Sequence, residues 1–148
     1  MNRQYQRLLH VMAALILNPI SLAVIAQEVP ERAAIPTEYK WDLSGMYEDA
    51  SGWQADKTRF LEMLPGVARF KGKLGESGRH LLAAIEEIQA VEAVISNLYV
   101  YAGLKSYEDT RISANGARLS EAQGLYSQYQ QALSYFSPEL LAIPTSTL

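Results

Sequence analysis

Between residues 81 and 102 the apolar residues recur at intervals of three and four. Leu81, Ile85, Ile88, Ile95, Tyr99 and Ala102 set the spacing, and Ala84, Val91 and Leu98 widen the stripe. This period of 3.6 belongs to an amphipathic helix and excludes a strand, whose faces alternate every second residue. A stripe that broad touches two neighbours at once. The chain therefore has to supply at least two more apolar elements, and the helix running to about Lys105 or Tyr107 has to lie between them. Ser77 is placed to cap its start.

The two partners are found on either side. Upstream, a helix is expected from Ser51 as N-cap to about Leu64, with Trp53, Phe60, Leu61 and Leu64 on one face. Pro65-Gly66 either ends it or kinks it before residues 67–70, and the glycines of 71–78 mark a loop. Downstream, a third helix begins near Asp109 or Ser113. Leu119, Ala122, Tyr126, Tyr129, Leu133 and Phe136 follow an alternating three-four spacing, as in a helix packed along a near-parallel partner. Gly116 and Gly124 each cost about 1 kcal/mol relative to Ala in a helix interior, and they suit close approach of another helix. Ser137-Pro138-Glu139 reads as an N-cap, a first-turn Pro and an acidic first turn, which starts a fourth helix that soon meets Pro144. The predicted fold is all-α: an antiparallel helical hairpin or bundle of about three helices plus the start of a fourth.

An extended arm, residues 35–47, precedes the bundle. Pro36 biases Ile35 towards an extended conformation, and Asp42 offers an oxygen to the N–H groups of a turn over 43–47. Trp41 and Tyr47 are its expected apolar anchors. Residues 27–34 carry Pro30 and no apolar period, and they read as a linker or disordered segment. Residues 1–26 read as a secretory signal peptide: Arg3 and Arg7 form a basic start, 11–25 an apolar run broken at Pro19, and Val24-Ile25-Ala26 a cleavage site before Gln27. The run is shorter than the roughly twenty residues of a spanning helix. Export to the periplasm or the extracellular space follows, with membrane contact through the signal peptide only.

The rest of the composition mainly excludes. At 49% hydrophobic and 20% charged the 148 residues suit one globular domain. The net charge of −3 becomes −5 once Arg3 and Arg7 leave with the signal peptide, which argues against a nucleic-acid partner. Without Cys there is no disulfide framework and no thiolate chemistry. His80 is the single His beyond the signal peptide; near a helix start it reads as a surface residue. Glu86, Glu87 and Glu92 read as a solvated helix face. Tyr99, Tyr126 and Tyr129 could form a peptide or sugar platform, but on apolar stripes they read as core with a wet hydroxyl. Gly66 with Gly72-Lys73 has the wrong spacing for a phosphate loop, and Leu74 stands where its Ser or Thr belongs. No Ser-His-Asp set exists. No catalytic, cofactor-binding or metal residue is expected in this chain.

From the arm onward the residues resemble oligoendopeptidase F, of the thimet-oligopeptidase-like zinc metallopeptidases. The matching residues are Ile35, Pro36, Tyr39, Trp41, Asp42, Leu43, Tyr47 and Trp53; then Phe70-Lys71-Gly72-Lys73-Leu74; then Leu98-Tyr99-x-Tyr101-Ala102 and Asp109-Thr110; and last Phe136-Ser137-Pro138-Glu139-Leu140-Leu141. The ordered set runs from about residue 32 to the C-terminus. The resemblance implies that residues 35–148 are the N-terminal helical domain of an oligoendopeptidase-like protein, truncated before its catalytic domain. That missing domain would be its partner and would hold zinc through His-Glu-x-x-His, while the helices wall a cleft for oligopeptide substrates. This chain alone is expected to be inactive and to bind no zinc. Its uncovered apolar stripes imply self-association of the fragment. The alternative is a complete small exported helical module that binds a protein partner without enzymatic activity.

Overall fold

The computed structural model describes residues 29–147. The chain divides into two units between Glu31 and Arg32. Of the first unit only residues 29–31 are described, so the expected signal peptide, 1–26, lies outside the described residues.

The second unit is all-α, as expected, with no strand among the described residues. Three long helices and a short fourth follow one another: α1 (Ala50–Ala68), α2 (Gly78–Glu108), α3 (Ser113–Ala132) and α4 (Phe136–Ala142). Short 3-10 turns lie at Arg32–Ala34, within the segment expected to be a linker, and at Thr37–Tyr39 and Thr145–Thr147. α2, 31 residues and so about 46 Å long, packs against both α1 and α3. The start of α1 meets the end of α2 where Trp53 Nε1 donates to the Leu98 carbonyl at 3.0 Å. The end of α1 meets the start of α2 where Arg69 pairs with Glu87. α3 returns from the end of α2, where Asn115 Nδ2 donates to the Lys105 carbonyl. Both neighbours are thus antiparallel to α2.

The α2 residues that form the core are Leu81, Ala84, Ile88, Val91, Ile95, Leu98 and Ala102, a strict alternation of three and four. Val94 and Tyr101 widen it towards the arm, while Tyr99 turns to the rim at 38% exposure. On α3 the buried residues are Ala122, Leu125 and Tyr129; Tyr126, expected on that stripe, is 40% exposed. Trp53, Phe60 and Val67 face this core from α1 with no exposure.

Two local expectations need correction, and the alternative left open at Pro65 is decided. The cap of α1 is Asp49, not Ser51: its carboxylate accepts from the N–H groups of Ser51 and Gly52, and a full negative charge suits the positive end of the helix better than a hydroxyl. Pro65 does not end α1, which continues to Ala68. Pro65 and Leu61, whose carbonyl the proline leaves unpaired, are both exposed, so water can replace the lost bond. α4 starts at Phe136 and has no side-chain cap. The turn before it satisfies the backbone instead, with Phe136 N–H on the Leu133 carbonyl and Glu139 N–H on that of Tyr135.

A second, smaller core of Phe70, Leu74, Leu81, Ala84 and Tyr135 is closed by Leu140 and Ile143 of the α4 region. The Tyr135 hydroxyl donates to the Val67 carbonyl at 2.7 Å. Glu139 grips the Gly72 N–H with both carboxylate oxygens, at 2.7 and 2.8 Å. Gly72 has φ +79°, a left-handed conformation that glycine adopts at little cost.

Candidate functional site

His80 heads α2 with Nδ1 3.8 Å from a Glu76 oxygen and its ring edge-on to Phe70 at 5.4 Å. Its Nε2 is buried and without a hydrogen-bond partner. Among the described residues no three His, Asp or Glu side chains gather where they could hold a metal ion. Glu87 is taken up by Arg69, while Glu86 and Glu92 are exposed. Gly66 faces Glu87, whose carboxylate oxygen lies 2.5 Å from where a Cβ would stand. A carboxylate in that place repels a phosphate.

The three tyrosines do come together. Tyr99 and Tyr126 lie 5.5 Å apart between ring centres, and Tyr126 and Tyr129 6.1 Å. Burial pushes the Tyr129 phenol up to about 12, with Glu92 and Tyr126 adding to the shift. Tyr129 is core; Tyr99 and Tyr126 form a two-ring rim.

A concavity of about 290 Å³ lies beside α4, lined by Gly72, Leu74, Glu139 and Ile143, and a second, ringed by aromatic side chains, lies where the arm crosses the end of α2. The two expected anchors separate here. Tyr47 is buried, 5.0 Å edge-on from Tyr101, and its hydroxyl donates to Asp56 at 2.8 Å. Burial, then Asp56, push its phenol well above the usual range. Trp41 instead is 52% exposed. Asp42 turns the chain between them by accepting from the Ser44 N–H, and that hydrogen bonding holds its carboxyl below the usual range. The half-exposed Trp41, with Ile35, Tyr39, Tyr107, Arg32 and Glu108, lines a groove of about 220 Å³.

The floor of the groove is ionic. Arg32 Nη2 lies 2.6 Å from Glu108 Oε1, and Lys105 Nζ 3.1 Å from Oε2. The Glu108 side chain is only 6% exposed. Asp109, next in the chain, is held at about 2 chiefly by hydrogen bonds from Arg111. The groove presents flat apolar rings around Glu108 and the cations paired with it. It holds no nucleophile beside a base, so it suits binding rather than bond cleavage. Arg32, Tyr107 and Glu108 carry no signal of this role in the sequence: Arg32 falls in the expected linker, and Tyr107 lies off the α2 stripe.

No family model matches the chain, and no solved structure matches it. Curated relatives do. The chain is 30% identical to "Oligopeptidase PepF" of Bacillus subtilis over 123 residues, 83% of this chain and 18% of that protein. It is 32% identical to "Oligoendopeptidase F, plasmid" of Lactococcus lactis subsp. cremoris over 113 residues, 76% of this chain and 19% of that protein. It is 26% identical to "Group B oligopeptidase PepB" of Streptococcus agalactiae over 115 residues, 78% and 19%. The chain thus spans about a fifth of the length of these relatives. The 123-residue match leaves 25 of 148 residues outside it, so it includes residues 26–123 wherever it begins.

Proposed function

We propose, on the premise that this chain is a relative of the oligoendopeptidase F peptidases, that it forms the N-terminal helical part of an exported peptidase of that kind. The carrying observation is similarity across three quarters or more of this chain to oligopeptidases of which it spans only 18–19%. In such a protein these helices give one wall of a cleft that admits short peptides, and a further domain carries out hydrolysis. Zinc is the metal the resemblance implies. The residues described here do not fit it: His80 stands with Glu76 alone, and no third donor joins them. The metal would have to be held outside the described residues, so no catalytic step is assigned to them.

A His-Glu-x-x-His read in frame, or after a frameshift, in the downstream coding sequence supports this reading. Stoichiometric zinc on the purified chain, or chelator-sensitive cleavage of a quenched peptide by it, contradicts it. Export is tested by N-terminal sequencing from an exporting host: a start at Gln27 supports it, and an intact Met1 in the cytoplasm refutes it.

One observation favours the alternative, an exported binding module. Trp53, Phe60, Leu74, Ile95 and Leu98 are fully buried within the described residues alone, so the helices close on themselves. A compact, dye-silent monomer with a sharp melt shifts weight to that reading; self-association or dye binding shifts it back.

A further inference from the structure

We infer that the groove between the arm and the end of α2 is a protein–protein seat, and that its occupant is an apolar face of the polypeptide that the relatives carry beyond the matched fifth. This rests on the reading of the chain as one part of a longer peptidase, and names where the other part docks.

The rings around the groove do little for the fold described here. Tyr39, Trp41 and Tyr107 are 76%, 52% and 68% exposed. Aromatic side chains bury about 150–250 Å² each when covered, so the three leave roughly 300–500 Å² of side-chain surface in water. That is the size of the largest apolar patch on an ordinary soluble monomer, and such patches mark interaction sites. Trp, Tyr and Arg are also the residues that dominate binding energy at protein interfaces.

The rings are displayed on a fixed segment. At one end Arg32 is tied to Glu108 at 2.6 Å. At the other, Leu43 and Tyr47 are buried in the main core. Between the two ties the chain makes the 3-10 turn Thr37–Tyr39, which sets Tyr39 beside the groove. A segment held at both ends loses little freedom when a partner covers its middle, so more of the burial appears as affinity.

The chemistry of the groove selects the occupant. The charged groups that line it, Arg32 and Glu108, are already paired with each other, and the rings around them offer a partner chiefly apolar surface. The match to the Bacillus subtilis relative includes residues 39–107, and this chain covers only 18% of that protein. The groove thus lies within the part shared with a protein about five times as long, whose remaining length is the nearest source of a covering face.

The test joins the full chain in frame to the part of the Bacillus subtilis oligopeptidase beyond the match. Hydroxyl-radical footprinting with mass spectrometry then reads Trp41, Tyr39 and Tyr107 in the chain alone and in the fusion, with Tyr126 as an exposed reference. The expected result is at least fivefold slower oxidation of Trp41 and Tyr107 in the fusion, with Tyr126 unchanged. Equal oxidation in both proteins overturns the inference. So does protection already present in the chain alone at a concentration where light scattering shows a dimer, because the occupant is then a second copy. Peptide cleavage by the fusion is scored separately: a fusion that cuts peptide without protecting Trp41 keeps the peptidase reading and removes the docking site. A second measurement needs no fusion. Tyr39→Ser with Tyr107→Ser in the chain alone should shift its melting temperature by less than about 2 °C, because rings kept for a partner do not hold this fold. A loss several times larger assigns them to the fold and refutes the inference.

Discussion

Trp53 is the residue whose replacement tests the packing most directly. It has no exposure, and its indole N–H reaches across from α1 to the Leu98 carbonyl at 3.0 Å. Lys57 and Arg118 sit over its ring at 5.8 and 5.9 Å from the centre. Trp53→Phe keeps a ring for the two cations but removes the N–H and part of the apolar area. The hydrogen bond is worth about 1 kcal/mol. Some 50 Å² of lost ring contact adds about 1 kcal/mol, for a total of about 2. Trp53→Ala, which empties the site, should cost about 3–5 kcal/mol. Urea unfolding followed by circular dichroism reads both values, with an unchanged slope expected. The chain has only two Trp, so emission gives a built-in control. Trp53→Phe should leave the red-shifted spectrum of half-exposed Trp41, and Trp41→Phe the blue-shifted spectrum of a buried indole. Trp41→Phe should cost less than about 0.5 kcal/mol. If Trp53→Phe proves neutral, or Trp41→Phe equally costly, the assignment of Trp53 to the core and Trp41 to the surface is wrong.

Other substitutions bear on single features. Pro65→Ala restores a backbone N–H inside α1 and should stabilise by about 1–3 kcal/mol; a lower melting temperature would show that the proline itself supports the fold. Tyr135→Phe removes a buried donor from the Val67 carbonyl and should cost about 1 kcal/mol in urea unfolding. Glu139→Gln weakens the grip on Gly72 and should speed exchange of that amide about tenfold, equivalent to about 1.4 kcal/mol; an unchanged rate would mean that α4 is held by its apolar contacts alone. The Tyr47 and Tyr129 phenols are raised by burial, so their neutral forms stabilise the fold below pH 10. That contribution is lost as pH rises towards 12. Absorbance titration should show these two ionising last, together with the loss of helical signal.

What could be read in advance depended on local contrast. The α2 stripe was legible because its apolar residues stand against Glu, Gln and Ser. Tyr99 shares the spacing of that stripe, yet the stricter phase through Leu98 and Ala102 leaves it on the rim. On α3 the contrast is too weak to mark Leu125, which is buried. Gly, Ala, Ser and Gln fill most of that helix, so no polar face marks the apolar one. The N-cap of α1 failed by two residues because Asp49 and Ser51 are both good caps and only the backbone decides between them. The groove left no local signal at all. Arg32 and Glu108 lie 76 residues apart, and nothing in either neighbourhood points to the other.

The same long reach governs the order in which this chain can fold. The contacts of α2 with α1 and with α3 join neighbours in sequence across short loops, a local topology of the kind that folds in microseconds to milliseconds. The arm is different. Tyr47 needs Tyr101, and Arg32 needs Glu108, so the first docked part of the sequence waits for the last turn of α2. Arm docking should therefore be the late step in refolding and the first to open in native-state exchange, with the helices forming ahead of it.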